Sequence, residues 1–557
     1  MNRSTLTPLL VASLVATLEG PLAAQSNLLV RTPSDAHTVV HVQDATLALE
    51  QMELNDVYRL LGHEAGEPLY GELRRMSPED FDSTLNLGRA LAGEALLFKA
   101  KAGAGLVVEP RGDRAGLMEA MRQFTQTPPP GEGMHAQLIG DYSVESSSPL
   151  PLEVPAAPGG REAIAVGGQG VGLVKVVISG PGMMAALSAD LETVTTWTRD
   201  MCSAGSAPSG APIAAKLGKA RALHGPAGQL EVFTDLSFFK DEAAAALKEA
   251  GSGLSIDPSR LISLDDDAYL YGTLALPAGM NVDIRFHLHI TPGTLLARLA
   301  DTMRPLPSDL LGKVPAEVTG LHSMNWDFNR FYELIMEALR EDEQERGADQ
   351  IDQVVAAGSA LAGSDLEEDF FGQFQGVFGL FFMPPSEGLS LADLQDDLLG
   401  VFLHVGLFAR VDDTDATLDA MEAMLGAVRT EFATLDDERG FELMLLEEVA
   451  PYDGGLALGA DHFLLTVTRR VMEASLTTFG GDSTRSLLSG GKLQSIFDGA
   501  QGAAAVSAFR LGMLRELIRE SERGVKLPEG MEGLYETYMV TTLRRVRDGF
   551  DLRVQLQ

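Results

Sequence analysis

The chain is expected to fold as an α+β protein of two tandem, related modules, each a mostly antiparallel sheet with helices on one face. Three observations predict this. Strand-like apolar runs alternate with helical patterns along the whole chain. Two β-rich runs, 268–276 and 282–290, are joined by Pro277-Ala278-Gly279-Met280-Asn281, the signature of an antiparallel hairpin. A pattern near the N-terminus recurs 282 residues later.

The recurrence begins with Pro33-Ser34-Asp35-Ala36, which leads through Val39 and Val42 to Gln43. Its counterpart is Pro315-Ala316-Glu317-Val318, leading through Leu321 and Met324 to Asn325. Each reads as a proline-led turn into a short strand, followed by a helical pattern at 47–61 and at 328–339. Gly93 with Leu97 and Phe98 is matched by Gly376 with Leu380 and Phe381, each a glycine-ended helix running into a buried strand. Gly105-Leu106-Val107-Val108 then matches Gly406-Leu407-Phe408-Ala409 at an offset of 301, so the second copy carries an insertion, placed at 383–397. A looser parallel joins the run ending at Leu187 to that ending at Leu476. Spacing kept over more than sixty residues reads as duplication, and two long copies are paired domains rather than a solenoid.

The remaining elements fit around this plan. Loops are expected at 127–131, 146–160 and 203–212, and a strand at 229–239 followed by a helix at 241–250. A short helix at 294–303 precedes a link at 305–315. A charged helical face spans 333–345, a long helix 503–523, and a final strand 550–556. The modules then cover 27–305, with a hairpin-containing extension, and 306–557.

Residues 1–24 read as a cleavable export signal. Arg3 supplies the positive start, 9–18 is a ten-residue apolar stretch, Gly20 and Pro21 break it, and cleavage follows Ala24. The stretch is too short for a membrane-spanning helix, and no later run reaches eighteen apolar residues, so the mature chain is expected outside the cytoplasm with no transmembrane segment. The net charge is −36, from 79 acidic and 43 basic residues, which disfavours nucleic acid and anionic lipid as partners. The single cysteine, Cys202, excludes an intramolecular disulfide and reads as a core or loop residue.

Common catalytic and cofactor signatures are missing from the sequence. Ser489-Gly490-Gly491-Lys492 lacks the spacing of a phosphate loop, and 167–172 is glycine-rich without the dinucleotide pattern, reading as a tight turn. His63 and Glu64 open like a zinc-protease helix, but position 67 is Glu67 where the second histidine is needed. His287 and His289 share a strand face and could reach one metal, though exposed paired histidines are the expectation. Asp265-Asp266-Asp267 and Asp412-Asp413-Thr414-Asp415 do not follow a calcium loop, and the second is expected to cap a helix. Trp197 and Trp326 are expected to pack. No catalytic, cofactor-binding or metal residue is assigned from this pattern.

The segments "PSDAHTVVHVQDATLAL", "DDDAYLYGTLALPAGMNVDIRFHLHITPGTLLARLADTM" and "PAEVTGLHSMNWDFNRFYELIMEAL" resemble uncharacterised bacterial exported proteins grouped under domains of unknown function. The resemblance implies export and the duplicated α/β plan and brings over no functional residue. The expected function is a non-enzymatic exported binding or cell-envelope scaffold, with an unknown protein or small molecule as partner. The alternative is an exported hydrolase whose residues are scattered along the chain and meet only in space.

Overall fold

A computed structural model describes residues 28–52, 54–55, 91, 93–111, 113–127, 133–152, 173–203, 211–224, 228–240, 268–279, 281–340, 346–362, 371–384, 404–428, 432–436, 439–446, 453–459, 461–489, 501–512 and 537–556. The fold is α+β, with helices packed on antiparallel sheet. The chain divides into two compact units: Met1–Phe238 with Tyr269–His287, and Phe239–Ala268 with Leu288–Gln557.

The first unit holds β1 (Ala36–Val42), β2 (Ala95–Ala100), β3 (Gly103–Val108), β4 (His135–Ile139), β5 (Tyr142–Ser146), β6 (Val174–Gly180), β7 (Met183–Ala189), β8 (Leu230–Asp235), β9 (Tyr269–Ala275) and β10 (Val282–His289), the last belonging to this unit as far as His287. Pairing runs β4–β5–β6–β7–β3–β2–β1–β8–β9–β10. The hairpin expected at 268–290 is thus β9–β10. Helices are α1 (Ala45–Met52), α2 (Arg114–Thr125), α3 (Leu191–Cys202) and α4 (Ala211–His224). Asp113 and Asp190 start α2 and α3 by accepting backbone N–H bonds from Ala115 and Thr193.

The second unit holds β11 (Gly320–Asn325), β12 (Phe374–Phe382), β13 (Val405–Val411), β14 (Phe432–Asp436), β15 (Phe441–Leu446), β16 (Gly455–Gly459), β17 (His462–Thr466), β18 (Ala505–Arg510), β19 (Tyr538–Val546) and β20 (Gly549–Leu556). Its pairing runs β14–β15–β16–β17–β13–β12–β11–β18–β19–β20, each pair antiparallel. Its helices are α5 (Leu295–Ala300), α6 (Phe328–Arg340), α7 (Arg346–Ala362), α8 (Thr414–Val428) and α9 (Arg469–Phe479).

Strand side chains alternate between faces, so each sheet can bury both. In the first unit Val39, Phe98, Val107, Leu187 and Phe233 pack with Trp197 of α3 and Leu217 of α4. The opposite face packs Val40, Leu106, Val108 and Ala186 with Ala48 of α1 and Leu117 and Met121 of α2. In the second unit Phe381, Phe408 and Leu464 pack with Met472 and Phe479 of α9, while Val411, Met444 and Leu456 face Met421 of α8. Helices therefore cover both faces of each sheet, not one. Runs such as "GLVV" and "MMAAL" are apolar at every position because neither face is left to solvent.

Two close approaches recur. Phe98 lies opposite Gly105, and Phe381 opposite Gly406. A Cβ on either glycine would overlap the ring packed over it. The ring covers bare backbone there, which only glycine allows.

Several expectations need correction. The helix placed at 503–523 is strand β18 where it is described: Val506 and Ala508 point inward at period two, and the alanine-rich composition misled. The helix placed at 47–61 ends at Met52, with a turn at Leu54, and 56–61 lie outside the described residues. Gly376, with φ +85°, is no helix end but lies inside β12, where the register shifts. The loop placed at 203–212 gives way to α4 at Ala211. Leu187 lies in β7 and Leu476 in α9, so those two positions do not correspond. The helix at 241–250 and most of the proposed insertion lie outside the described residues.

Candidate functional site

Two features stand out, one in each unit. The first grows from β1. Period-two alternation puts His41 on the same face as Val39, and the antiparallel register sets it directly opposite Glu231 of β8. Glu94 sits one residue ahead of β2, α4 brings Arg221 in its last turn, and β9 contributes Tyr271.

The hydrogen bonding within this group is closed. The imidazole reaches Glu231 Oε2 from Nδ1 and Glu94 Oε1 from Nε2, both at 2.9 Å. Each ring nitrogen faces a carboxylate, and Nδ1 also lies 3.0 Å from Arg221 Nη2; the form that donates to both carboxylates is the imidazolium. Glu231 Oε1 accepts from Arg221 Nε at 2.8 Å and from Tyr271 Oη at 2.9 Å, and Oε2 also accepts from Arg221 Nη2. Two carboxylates thus balance one guanidinium and one imidazolium. His41 and Glu231 are 2% and 1% exposed, so this balance is set in a low-dielectric interior.

The titration behaviour follows from that arrangement. Burial opposes charge on His41, but the hydrogen bonds to Glu231 and Glu94 outweigh it and raise its pKa above the ordinary value. Burial likewise opposes ionisation of Glu231, yet His41 and Arg221 hold it down to about 2. Burial and the neighbouring Glu231 carboxylate keep the Tyr271 hydroxyl protonated. In the imidazolium form both ring nitrogens donate to carboxylates, which leaves His41 no lone pair to offer as a general base.

The second feature lies on the face of the second sheet toward α8. An apolar groove of about 280 Å³ is lined by His322, Met324, Phe378, Leu380, Leu407 and Phe463 among others. Leu380 and Leu407 are 43% and 40% exposed, unusual for leucines side by side in paired strands. At one end His322 of β11 meets its cross-strand partner Ser507 of β18, Nδ1 to Oγ, at 2.7 Å.

The residues singled out from sequence fall elsewhere. Cys202 is buried in α3, and burial pushes its thiol up to about 12. His287 and His289 are buried, contrary to the exposed pair expected, and His287 stacks on His224 with ring centroids 3.4 Å apart. Burial is confined to this end of β10, since Arg285, two residues earlier on the same face, is exposed. Asp413 caps α8 by accepting from Ala416 N at 3.0 Å. Trp197 packs edge-on to Phe98 and Trp326 stacks on Phe331. His63, Glu67, 167–172, 265–267 and 490–492 lie outside the described residues.

Sequence reasoning passed over His41, Glu94, Arg221, Glu231 and Tyr271, and also His322 with Ser507. A signal existed: His41 in "VVHV" and Glu231 in "LEVF" are ionisable residues inside otherwise apolar strand runs, which marks a buried charge needing a partner. Among the described residues no helix is long and apolar enough to cross a membrane. No family model, curated protein or solved structure matches the chain.

Proposed function

We propose that the chain is an exported, duplicated scaffold that binds a small apolar ligand rather than transforming it. The groove beside Leu380 and Leu407 carries this reading. Its volume suits one ring system or a short acyl segment, and its lining is aliphatic and aromatic with a single polar end at His322. The bonding around His41 supports it, because this buried cluster engages both imidazole nitrogens with carboxylates. Duplication is supported by the common strand order, with the later strands following the earlier ones at ten places on, and by the paired rings over Gly105 and Gly406.

The test is binding of an apolar fluorescent probe to the purified chain. Leu407→Asp and Leu380→Asp should each abolish saturable binding while leaving the thermal transition in place. Undiminished binding by both variants would remove the groove from consideration. Export is tested by N-terminal sequencing of the protein recovered outside the cytoplasm, with Gln25 expected as the first residue.

One observation favours the hydrolase alternative. Ser507 and His322 form a serine–imidazole pair at the end of an apolar groove, an arrangement that can activate a hydroxyl. Among the described residues His322 makes no ion pair with a carboxylate, the orienting group such a pair ordinarily uses. Labelling by a serine-directed fluorophosphonate, lost in Ser507→Ala, would establish this reading; no labelling under native conditions would dismiss it.

A further inference from the structure

The place of His41 can be followed into the second unit by register. Val39 faces Phe98 and Phe233, and Leu321 faces Phe381 and Ala508. Two residues on, His41 faces Glu231 while Ser323 faces Val506. Glu94 precedes Ala95, the partner of Val42, and Val377 precedes Phe378, the partner of Met324. Tyr271 lies opposite Phe233, and Val540 opposite Ala508. Where the first unit buries His41, Glu231 and Tyr271 with Glu94 half-buried beside them, the second buries Ser323, Val377, Val506 and Val540. Ser323 donates to the Phe378 carbonyl at 3.1 Å, so this seat too is satisfied.

One strand order thus closes around an ionic cluster in one unit and around an apolar one in the other. The cluster is therefore not something the sheet needs in order to form. Buried ionic groups are often no better for stability than well-packed apolar ones, and a better-supported use is to specify which partner fits. A duplicated chain has a particular need for that, because equivalent strands can dock in each other's places while the chain folds.

We infer that the His41 cluster is a pairing key that admits β1 between β2 and β8 and bars it from the equivalent seat between β12 and β18. In the wrong seat the imidazolium would be buried against Val377 and Val506 with no carboxylate. β11 in the vacated seat would present Ser323 to Glu231 and Glu94, leaving Arg221 to offset one buried and one half-buried carboxylate. Each exchange strands charge in the interior, so the penalty falls on the misassembled chain alone. This rests on the duplicated plan proposed above and adds what keeps its two copies apart.

The experiment traps strand position during refolding. In the full chain with Cys202→Ala, Val40→Cys is combined with Ser507→Cys. Val40 natively faces Val232, and Ser507 faces His322, so these thiols meet only when β1 occupies the seat of β11. Oxidative refolding from denaturant, with peptide mapping of the monomer, should give this cross-link only at background with the cluster intact. Two variants should raise it several-fold: the mild His41→Gln with Glu231→Gln, and the full His41→Ser, Glu94→Val, Arg221→Leu, Glu231→Val, Tyr271→Val. Background cross-linking in both variants would overturn the key. The controls Val40→Cys with Val232→Cys, and His322→Cys with Ser507→Cys, report the native seats; failure of either would sink the shared seat itself, and with it the duplicated plan. The groove is read separately by probe binding.

Discussion

Replacing His41 with leucine should destabilise the first unit by about 3–5 kcal/mol, the usual cost of removing one partner from a buried ion pair. The figure follows from what is left behind. Glu231, 1% exposed, would keep Arg221 and Tyr271 but lose its imidazolium, and Glu94 would lose its bond from Nε2. Trp197 is a convenient reporter because it packs edge-on to Phe98 in the same core; Trp326→Phe silences the second unit. Urea unfolding followed by Trp197 fluorescence gives the free energy difference. A loss under about 1 kcal/mol, the typical worth of a neutral hydrogen bond, would mean that the cluster is not ionised as drawn. The pH profile gives an independent check. The His41 pKa is raised above 6.5 in the folded state, so its contribution is complete below pH 6.5 and fades as pH climbs through the folded value. Glu231 is lowered from 4.5 to about 2, so its contribution holds above pH 4.5 and fades as pH falls towards 2. The alkaline decline should disappear in His41→Leu, while a profile identical to that of the parent would refute the assignment.

Gly105→Ala and Gly406→Ala should each cost about 1–3 kcal/mol by displacing Phe98 or Phe381, and equal midpoints for variant and parent would show that the rings can move aside freely. Cys202 should resist a thiol reagent in the folded chain at neutral pH and react at once in denaturant, since burial pushes its thiol up to about 12; rapid native labelling would contradict its position in α3. Asp190→Ala should lower stability by about 1 kcal/mol through loss of the cap on Thr193 N, and no change by calorimetry would mean water replaces the carboxylate there.

The strands were easier to read than the helices. Runs at 229–239, 268–276, 282–290 and 550–556 are β-branched or aromatic and bounded by turns, and each contains a strand. The stretch at 503–510 was misread because small residues satisfy either period, and only its neighbours β11 and β19 select the extended form. The choice of one covered face or two depends on which helices dock where, which local pattern does not contain. The His41 cluster was hidden for a related reason. Its members are scattered from His41 to Tyr271, and what joins them is cross-strand register, visible only after pairing.

Strand β1 stands in mid-sheet, and the residue that neutralises its imidazolium, Glu231, lies 190 positions further along the chain. A polypeptide emerging from its N-terminus therefore presents β1 and β2 long before β8 exists. Through that interval one edge of β1 offers free backbone groups beside a histidine with half its counter-charge. Completion of the sheet around β1 is thus tied to a segment far along the chain, a long-range closure of the kind that slows folding.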